Sequence, residues 1–290
     1  MLDTPHAKSM LDTPVANRMP REIAPGVFWI GDCLAQRHKG KVYHGYNAAF
    51  LVAGETASCL VETGHPKDFP VIERHMNELF ARGLPPLKYL FVTHQETPHC
   101  GGLGRVLKTF PDALLYGDVS DYHLAFPQYE HRMVSMKEGD EIDLGGRSLM
   151  AVEPVIRDLR TTWWGFDTKE RVLFPGDGFA YSHYHEDGHC GLVAEEAASL
   201  DLQDTTAVFA DLALWWTKWA DMRNYCARLD LLMDKLAVKT VCPTHGLVIT
   251  DVAKTMPKVK EGLLYGSSVA ERGTNDAKFT ASDLMADETA

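Results

Sequence analysis

The stretch from Leu87 to Gly104, LKYLFVTHQETPHCGGLG, constrains this chain more than any other. An apolar run, Leu90 to Val92, reads as a short buried strand that breaks at once into a loop bearing His94, Glu96 and His99. The chain leaves that loop through Gly101, Gly102 and Gly104, where a helix can begin close by. Imidazole nitrogens and a carboxylate oxygen brought together at the carboxyl end of a buried strand suit a divalent metal.

Three more strand ends carry polar side chains in the same manner. Leu60-Val61 runs into Glu62-Thr63-Gly64-His65, Phe174-Pro175 into Gly176-Asp177-Gly178, and Thr240 to Pro243 into Thr244-His245-Gly246. The first motif resembles the signature of the metallo-β-lactamase superfamily, T-H-x-H-x-D-H-x-G-G, through Thr93, His94, His99, Gly101 and Gly102. Glu96 stands where that signature has its second histidine, and Pro98 where it has aspartate. His-x-Glu looks like the diiron branch of the superfamily, the flavodiiron proteins and their oxygen-binding relatives. Carboxylate is a harder ligand than imidazole and suits iron, while zinc also accepts it.

The resemblance implies a four-layer αββα sandwich over residues 21–265 and a set of site residues. Glu62 fills the slot of an aspartate that supports a metal ligand from behind. Asp177 matches a strand-end Gly-Asp whose carboxylate bridges two metals; the alternative is a turn aspartate. His245 matches the final metal histidine. The family's mid-chain metal histidine has no counterpart, since no histidine lies between His131 and His183. Either Asp158 ligates in its place or Arg157 fills the metal's space with its own charge. The implied sets are His94, Glu96, Asp177 and Asp158 for one ion, and His99, Asp177 and His245 for the other. That allows a lopsided dinuclear site, a single ion or, in the extreme, an empty site, with zinc or iron as the metal and Asp177, Asp158 and Glu62 as the groups for catalysis.

Around this centre, His65, Trp163, Trp164, His183 and His185 are candidates for a substrate pocket. For the tryptophans the alternative is core packing, and for His65 a loop histidine satisfied by backbone. The tract His183, His185, Glu186, Asp187 and His189 would replace a lost ligand, line the pocket or form a subunit contact.

Element by element, strands are expected at Val27 to Ile30, Ala48 to Val52 and Ser58 to Val61. Phe69, Ile72, Met76, Leu79 and Phe80 follow helical spacing, stopped at Gly83. Leu103 to Phe110 and Val119 to Phe126 read as helical, with a strand at Ala113 to Tyr116 between them. Met133 to Met136, Glu141 to Leu144 and Ser148 to Val152 are assigned to a second sheet. A hairpin of Thr161 to Phe166 and Arg171 to Phe174 follows. Trp219, Met222, Cys226, Leu229, Leu232 and Leu236 form one helical stripe, and a last helix covers Val252 to Tyr265. Residues 1–20, which contain MLDTP twice, read as an arm, and 266–290 as a polar tail.

A net charge of -11 argues against nucleic acid or an anionic membrane as the main partner. No apolar run approaches a membrane span and no signal-peptide pattern opens the chain. Six cysteines without C-x-x-C pairing suit reduced thiols in a cytoplasm. A small-molecule substrate and a homo- or hetero-oligomer are expected. The leading expectation is a metal-dependent hydrolase acting on an ester, lactone, thioester or activated ether with an apolar or aromatic portion, through a metal-activated water. The alternatives are a non-haem diiron protein that binds or reduces oxygen, and a weakened subunit that supports an intact homologous chain. No flavodoxin-like or rubredoxin-like segment follows residue 265, so no flavin is expected within the chain and electrons would come from a partner.

Overall fold

The computed structural model describes residues 19–38, 41–181, 183, 185, 189–197, 200, 202, 205, 206, 209, 210 and 213–272. Its elements follow in order: β1 (Arg21–Ala24), β2 (Val27–Ile30), β3 (Cys33–His38), β4 (Lys41–Tyr46), β5 (Ala49–Ala53), β6 (Ser58–Val61), α1 (Phe69–Ala81), β7 (Leu87–Phe91), α2 (Thr97–Cys100), α3 (Leu103–Thr109) and β8 (Leu114–Gly117). Then come α4 (Tyr122–Ala125), β9 (Met133–Ser135), β10 (Glu141–Asp143), β11 (Ser148–Val152), β12 (Trp164–Asp167), β13 (Val172–Gly176), α5 (Met222–Leu236), β14 (Thr240–Pro243) and α6 (Val252–Arg272). One sheet has the order β1-β2-β5-β6-β7-β8-β9, a second β10-β11-β12-β13-β14, and β3 and β4 pair alone.

The layers follow from the two-residue period of the strands. In β5, Phe50 and Val52 join one apolar core while Ala49 and Leu51 join another. The first core lies between the sheets, where Phe50 meets Phe174 at 5.4 Å between ring centroids. The second holds Phe69, Ile72, Met76 and Leu79 of α1 with Leu103, Val106 and Leu107 of α3. Met222, Cys226 and Leu229 of α5 and Met256, Val259 and Leu263 of α6 cover the far sheet. This is the αββα sandwich.

Several elements differ from the sequence expectation. β9 pairs parallel with β8, Leu115 opposite Met133, so it closes the first sheet and does not belong to the second. Parallel neighbours need a crossover, and α4 with the 3₁₀ turn Pro127–Arg132 supplies it. The helical reading of Val119 to Phe126 shrinks to α4, since Pro127 opens that separate turn. Trp215–Trp219 is also a 3₁₀ turn, and α5 begins only after Asp221, whose side chain accepts the Arg223 N–H. Trp219, 72% exposed, is therefore not on the α5 stripe. α6 runs past Tyr265 to Arg272, into the region read as tail. The arm, apart from residues 19 and 20, and the rest of the tail lie outside the described residues. Among the described residues no helix is long and apolar enough to cross a membrane.

One buried group of the frame sets an acid limit. His75 of α1 is buried, and its Nδ1 accepts the Gly31 backbone N–H at 3.2 Å. Burial, and after it the Arg74 charge, lower its pKa from 6.5 to about 4. Between those values the unfolded chain binds more protons than the folded one, so stability falls as pH falls. The expected loss across this window is about 3 kcal/mol. His75→Gln should flatten the urea midpoint measured from about pH 7 down to about pH 4. A midpoint that falls just as steeply in the variant would assign the acid sensitivity to other groups.

Candidate metal centre

The sheet directions bring the polar strand ends together. β6 and β7 are parallel neighbours in one sheet, and β13 and β14 in the other. β11 points the same way as β13, because two antiparallel pairings separate them. Glu62, His94, Asp158, Asp177 and His245 thus follow strands whose carboxyl ends open on one edge of the sandwich.

There the donors converge. His94 Nε2 lies 2.9 Å from Asp158 Oδ2 and 3.9 Å from Asp177 Oδ2. His99 Nε2 lies 3.2 Å, and His245 Nε2 3.4 Å, from Asp177 Oδ1. One donor atom from each of His94, Glu96, Asp158 and Asp177 falls within 4.8 Å of the others, and His94, His99 and Asp177 form an overlapping group of the same size. His94 Nε2, His99 Nε2, Asp158 Oδ2 and Asp177 Oδ1 are all buried and make no hydrogen bond. An unsatisfied buried polar atom costs about 1–3 kcal/mol, so four of them in two overlapping groups are expensive unless cations bond them. The residues present therefore fit a metal.

The other side of each ring is held. Thr93 donates its one hydroxyl proton to Glu62, so it can only accept from His94 Nδ1, 3.0 Å away. That tautomer leaves Nε2 as a lone pair. His99 Nδ1 lies 3.1 Å from Glu62 Oε1, and His245 Nδ1 donates to the Tyr46 carbonyl at 2.8 Å. Thr63 accepts the Gly102 N–H and donates to the His99 carbonyl, pinning the glycine exit to the end of β6. A Cβ on Gly102 would come within 2.5 Å of the Thr63 carbonyl oxygen, so only glycine allows that approach.

Burial favours a neutral Asp177, but His99 and His245 prevail and hold its carboxyl well below the usual range. Burial likewise opposes the Asp158 charge, and the His94 contact outweighs it. Glu96 is pushed up by burial and by Asp158. For His99 burial works downward, yet Asp177 and Glu62 on either side raise it. His245 is lowered, above all by burial.

The model of the metallo-beta-lactamase superfamily matches residues 42–200, more than half of the chain. The chain belongs to that superfamily. Among curated relatives, a nitric oxide reductase of Moorella thermoacetica is 26% identical over 253 residues, 79% of this chain and 57% of that protein. A coenzyme F420H2 oxidase of Methanothermobacter thermautotrophicus is 27% identical over 248 residues, 80% of this chain and 58% of its own length. This chain therefore spans little more than half of those relatives. The solved rubredoxin oxygen:oxidoreductase of Desulfovibrio gigas superposes with a TM-score of 0.66 at 16% identity, covering 86% of this chain and 61% of that one. A metallo-beta-lactamase from Pontibacter korlensis does so at 0.53 and 14%, covering 87% and 98%. These relatives are consistent with the flavodiiron resemblance of His94-x-Glu96. The named curated ones are oxidoreductases, against the expectation that ranked hydrolysis first.

Of the two alternatives for the missing histidine, Asp158 is the side chain placed beside His94. Arg157 turns away to Glu153 and the Arg160 carbonyl, leaving the interior to its neighbour. Pro98 sits in the first turn of α2, where no hydrogen-bonded N–H is needed. The pocket candidates fare differently. Trp164 is fully buried, edge-on to Phe179 at 5.5 Å, so it belongs to the core. A Cβ on Gly178 would lie 2.3 Å from its ring, so the indole packs tightly against the loop of Asp177. Trp163 is half-buried and gives its backbone N–H to the Thr93 carbonyl. His65 is half-buried, and its backbone N–H bonds Asp68. His183 gives its backbone N–H to the His245 carbonyl and is lowered to about 3 by burial and by His185. His185 belongs to a different cluster, with Cys33 and Cys190. Glu186 and Asp187 lie outside the described residues.

Sequence reading missed Tyr46, whose carbonyl carries no side-chain signal, and Tyr122, whose hydroxyl donates to the His94 carbonyl at 3.2 Å. It also missed Phe209, 5.4 Å from the His245 ring. The threonine before each strand-end histidine, Thr93 and Thr244, was a readable signal, since both hydroxyls reach Glu62.

Glu62 is the group on which this second layer turns, and it holds φ 63 to do so. Glu62→Gln keeps its size and removes its charge behind His99. Metal affinity should fall about 10–100-fold with the far-UV circular dichroism unchanged, as read by calorimetric titration. An affinity equal to that of the unaltered chain would mean His99 needs no carboxylate behind it.

Proposed function

We propose that His94, Glu96, Asp158, Asp177, His99 and His245 would hold iron and that the centre would bind and reduce dioxygen or nitric oxide. The observation that carries this reading is the division of the Asp177 carboxylate. Oδ2 is turned to His94, whereas Oδ1 is turned to His99 and His245. Two oxygens, each facing its own donor set, suit one cation apiece. Glu96 and Asp158 beside His94 make the first set rich in hard oxygen, which favours iron over zinc. The names of the relatives, a nitric oxide reductase and F420H2 oxidases, support redox chemistry over hydrolysis.

Iron held by these residues would supply the centre's capacity to pass electrons to a small diatomic ligand. The chain's own residues hold and orient. Glu62 and Thr93 fix the two imidazoles of the first loop, and the Tyr46 carbonyl fixes His245. The burial of His94, His99 and Asp177 keeps bulk water from the metal ligands. Electrons would reach the centre from a redox group outside the described residues.

The test is to load the purified chain with ferrous iron without oxygen, reduce it, and follow consumption of dissolved oxygen or nitric oxide. Consumption that scales with bound iron is expected. Tight binding of zinc in preference to iron, with ester or lactone hydrolysis and no gas consumption, would overturn the reading in favour of a hydrolase.

A further inference from the structure

A second cluster of metal-binding side chains lies outside the carboxylate-rich centre. Cys33, the first residue of β3, meets His185 and Cys190 from the segment that follows Asp177. All three are buried, and one donor atom from each lies within 4.8 Å of the other two. Tyr46 closes the group. Its ring stacks on His185 at 5.0 Å, and its hydroxyl accepts the Gly191 N–H at 3.0 Å. Its carbonyl is the group that holds His245.

We propose that Cys33, Cys190 and His185 form a second metal site, for a thiophilic divalent cation such as Zn²⁺. Three arguments support it, none of which rests on the iron centre. The first is distance. Cys33 Sγ lies 3.6 Å from His185 Nε2. Bonds of about 2.3 Å to sulfur and about 2.0–2.1 Å to nitrogen at a tetrahedral angle place those two atoms roughly 3.6 Å apart. The second is charge. Two thiolates and a neutral imidazole cancel a doubly charged cation, and a neutral assembly is what a buried position tolerates. Binding releases two thiol protons, and water takes the fourth position. The third is softness. Two sulfurs and a nitrogen select against the hard-ligand preference of the Glu96, Asp158 and Asp177 set, so the two sites sort different cations. Such an ion ties the segment carrying His185 and Cys190 to β3, beside the backbone that fixes His245.

The test uses the full chain carrying Asp177→Asn, stripped of metal under reducing, oxygen-free conditions and titrated with Co²⁺ alone. One equivalent is expected to raise a thiolate-to-cobalt charge-transfer band in the near ultraviolet. Zn²⁺ should abolish that band, and it should be missing when Cys33→Ser or Cys190→Ser is added. His185→Gln should shift the titration to higher Co²⁺. X-ray absorption of the zinc-loaded Asp177→Asn chain gives a reading independent of the cysteine variants, with two sulfur neighbours expected at about 2.3 Å. No band, a band that survives both serine substitutions, or zinc with no sulfur neighbour would overturn the proposal. So would loss of two free thiols to a disulfide in a chain that takes up no Co²⁺ when reduced.

Discussion

Asp177→Asn should leave the chain folded and unable to retain metal at the carboxylate-rich centre. Its two oxygens lie within 3.9 Å of three imidazole nitrogens, those of His94, His99 and His245. The amide keeps the size of the side chain and removes the charge. Removing one partner from a buried charged pair costs on the order of 3–5 kcal/mol, or roughly a hundred- to a few thousand-fold in affinity. Elemental analysis after gel filtration is the readout, with far-UV circular dichroism as the control for folding. Metal at the level of the unaltered chain would mean that Asp177 is a turn residue and that the ion, if any, sits elsewhere.

The next largest effect is expected at Asp158, which stands where the superfamily has histidine. Its Oδ1 accepts the Thr162 hydroxyl at 2.9 Å, which leaves Oδ2 aimed at His94. Asp158→Ala removes a charged oxygen donor from the first set, and its iron affinity should fall on the order of a hundredfold. Asp158→His should recover binding while shifting preference from iron towards zinc, since imidazole is the softer ligand. Competition between equimolar iron and zinc, read by elemental analysis, separates the two variants. If Asp158→Ala binds iron as the unaltered chain does, three side chains suffice for that ion and the substitution of aspartate for histidine has no bearing on metal choice.

The sandwich was legible because its strands end in unusual residues. Glu62, His94, Asp177 and His245 each follow a short apolar run, and each run is a strand whose end opens on the same edge. Choosing between Arg157 and Asp158 was beyond the sequence. Adjacent residues of an irregular loop have no period to separate their faces, and only the Glu153 and Arg160 contacts of Arg157 decide it. The Asp158 carboxylate beside His94 puts an oxygen donor at one of the two positions whose loss suggested a weakened subunit. Trp163 and Trp164 show the same limit where a strand begins, Trp163 preceding β12 and Trp164 opening it. Nothing in the pair itself says that Trp164 is the buried one beneath Gly178. The strand at Met133 could not be given its sheet from its own residues, because its partner β8 is chosen by the crossover through α4. His185 drew attention as part of a histidine-rich tract, but its partner Cys33 comes from β3, far back in the chain. The carbonyl of Tyr46 lay beyond any residue pattern, since every residue has one.

Anomalous diffraction at the iron edge, from crystals of the chain loaded without oxygen, bears most directly on the bridging role of Asp177. Two iron peaks are expected, one beside Asp177 Oδ2 with His94, Glu96 and Asp158, the other beside Oδ1 with His99 and His245. A single ion bound without Asp177, or no iron at all within reach of these six side chains, would contradict it.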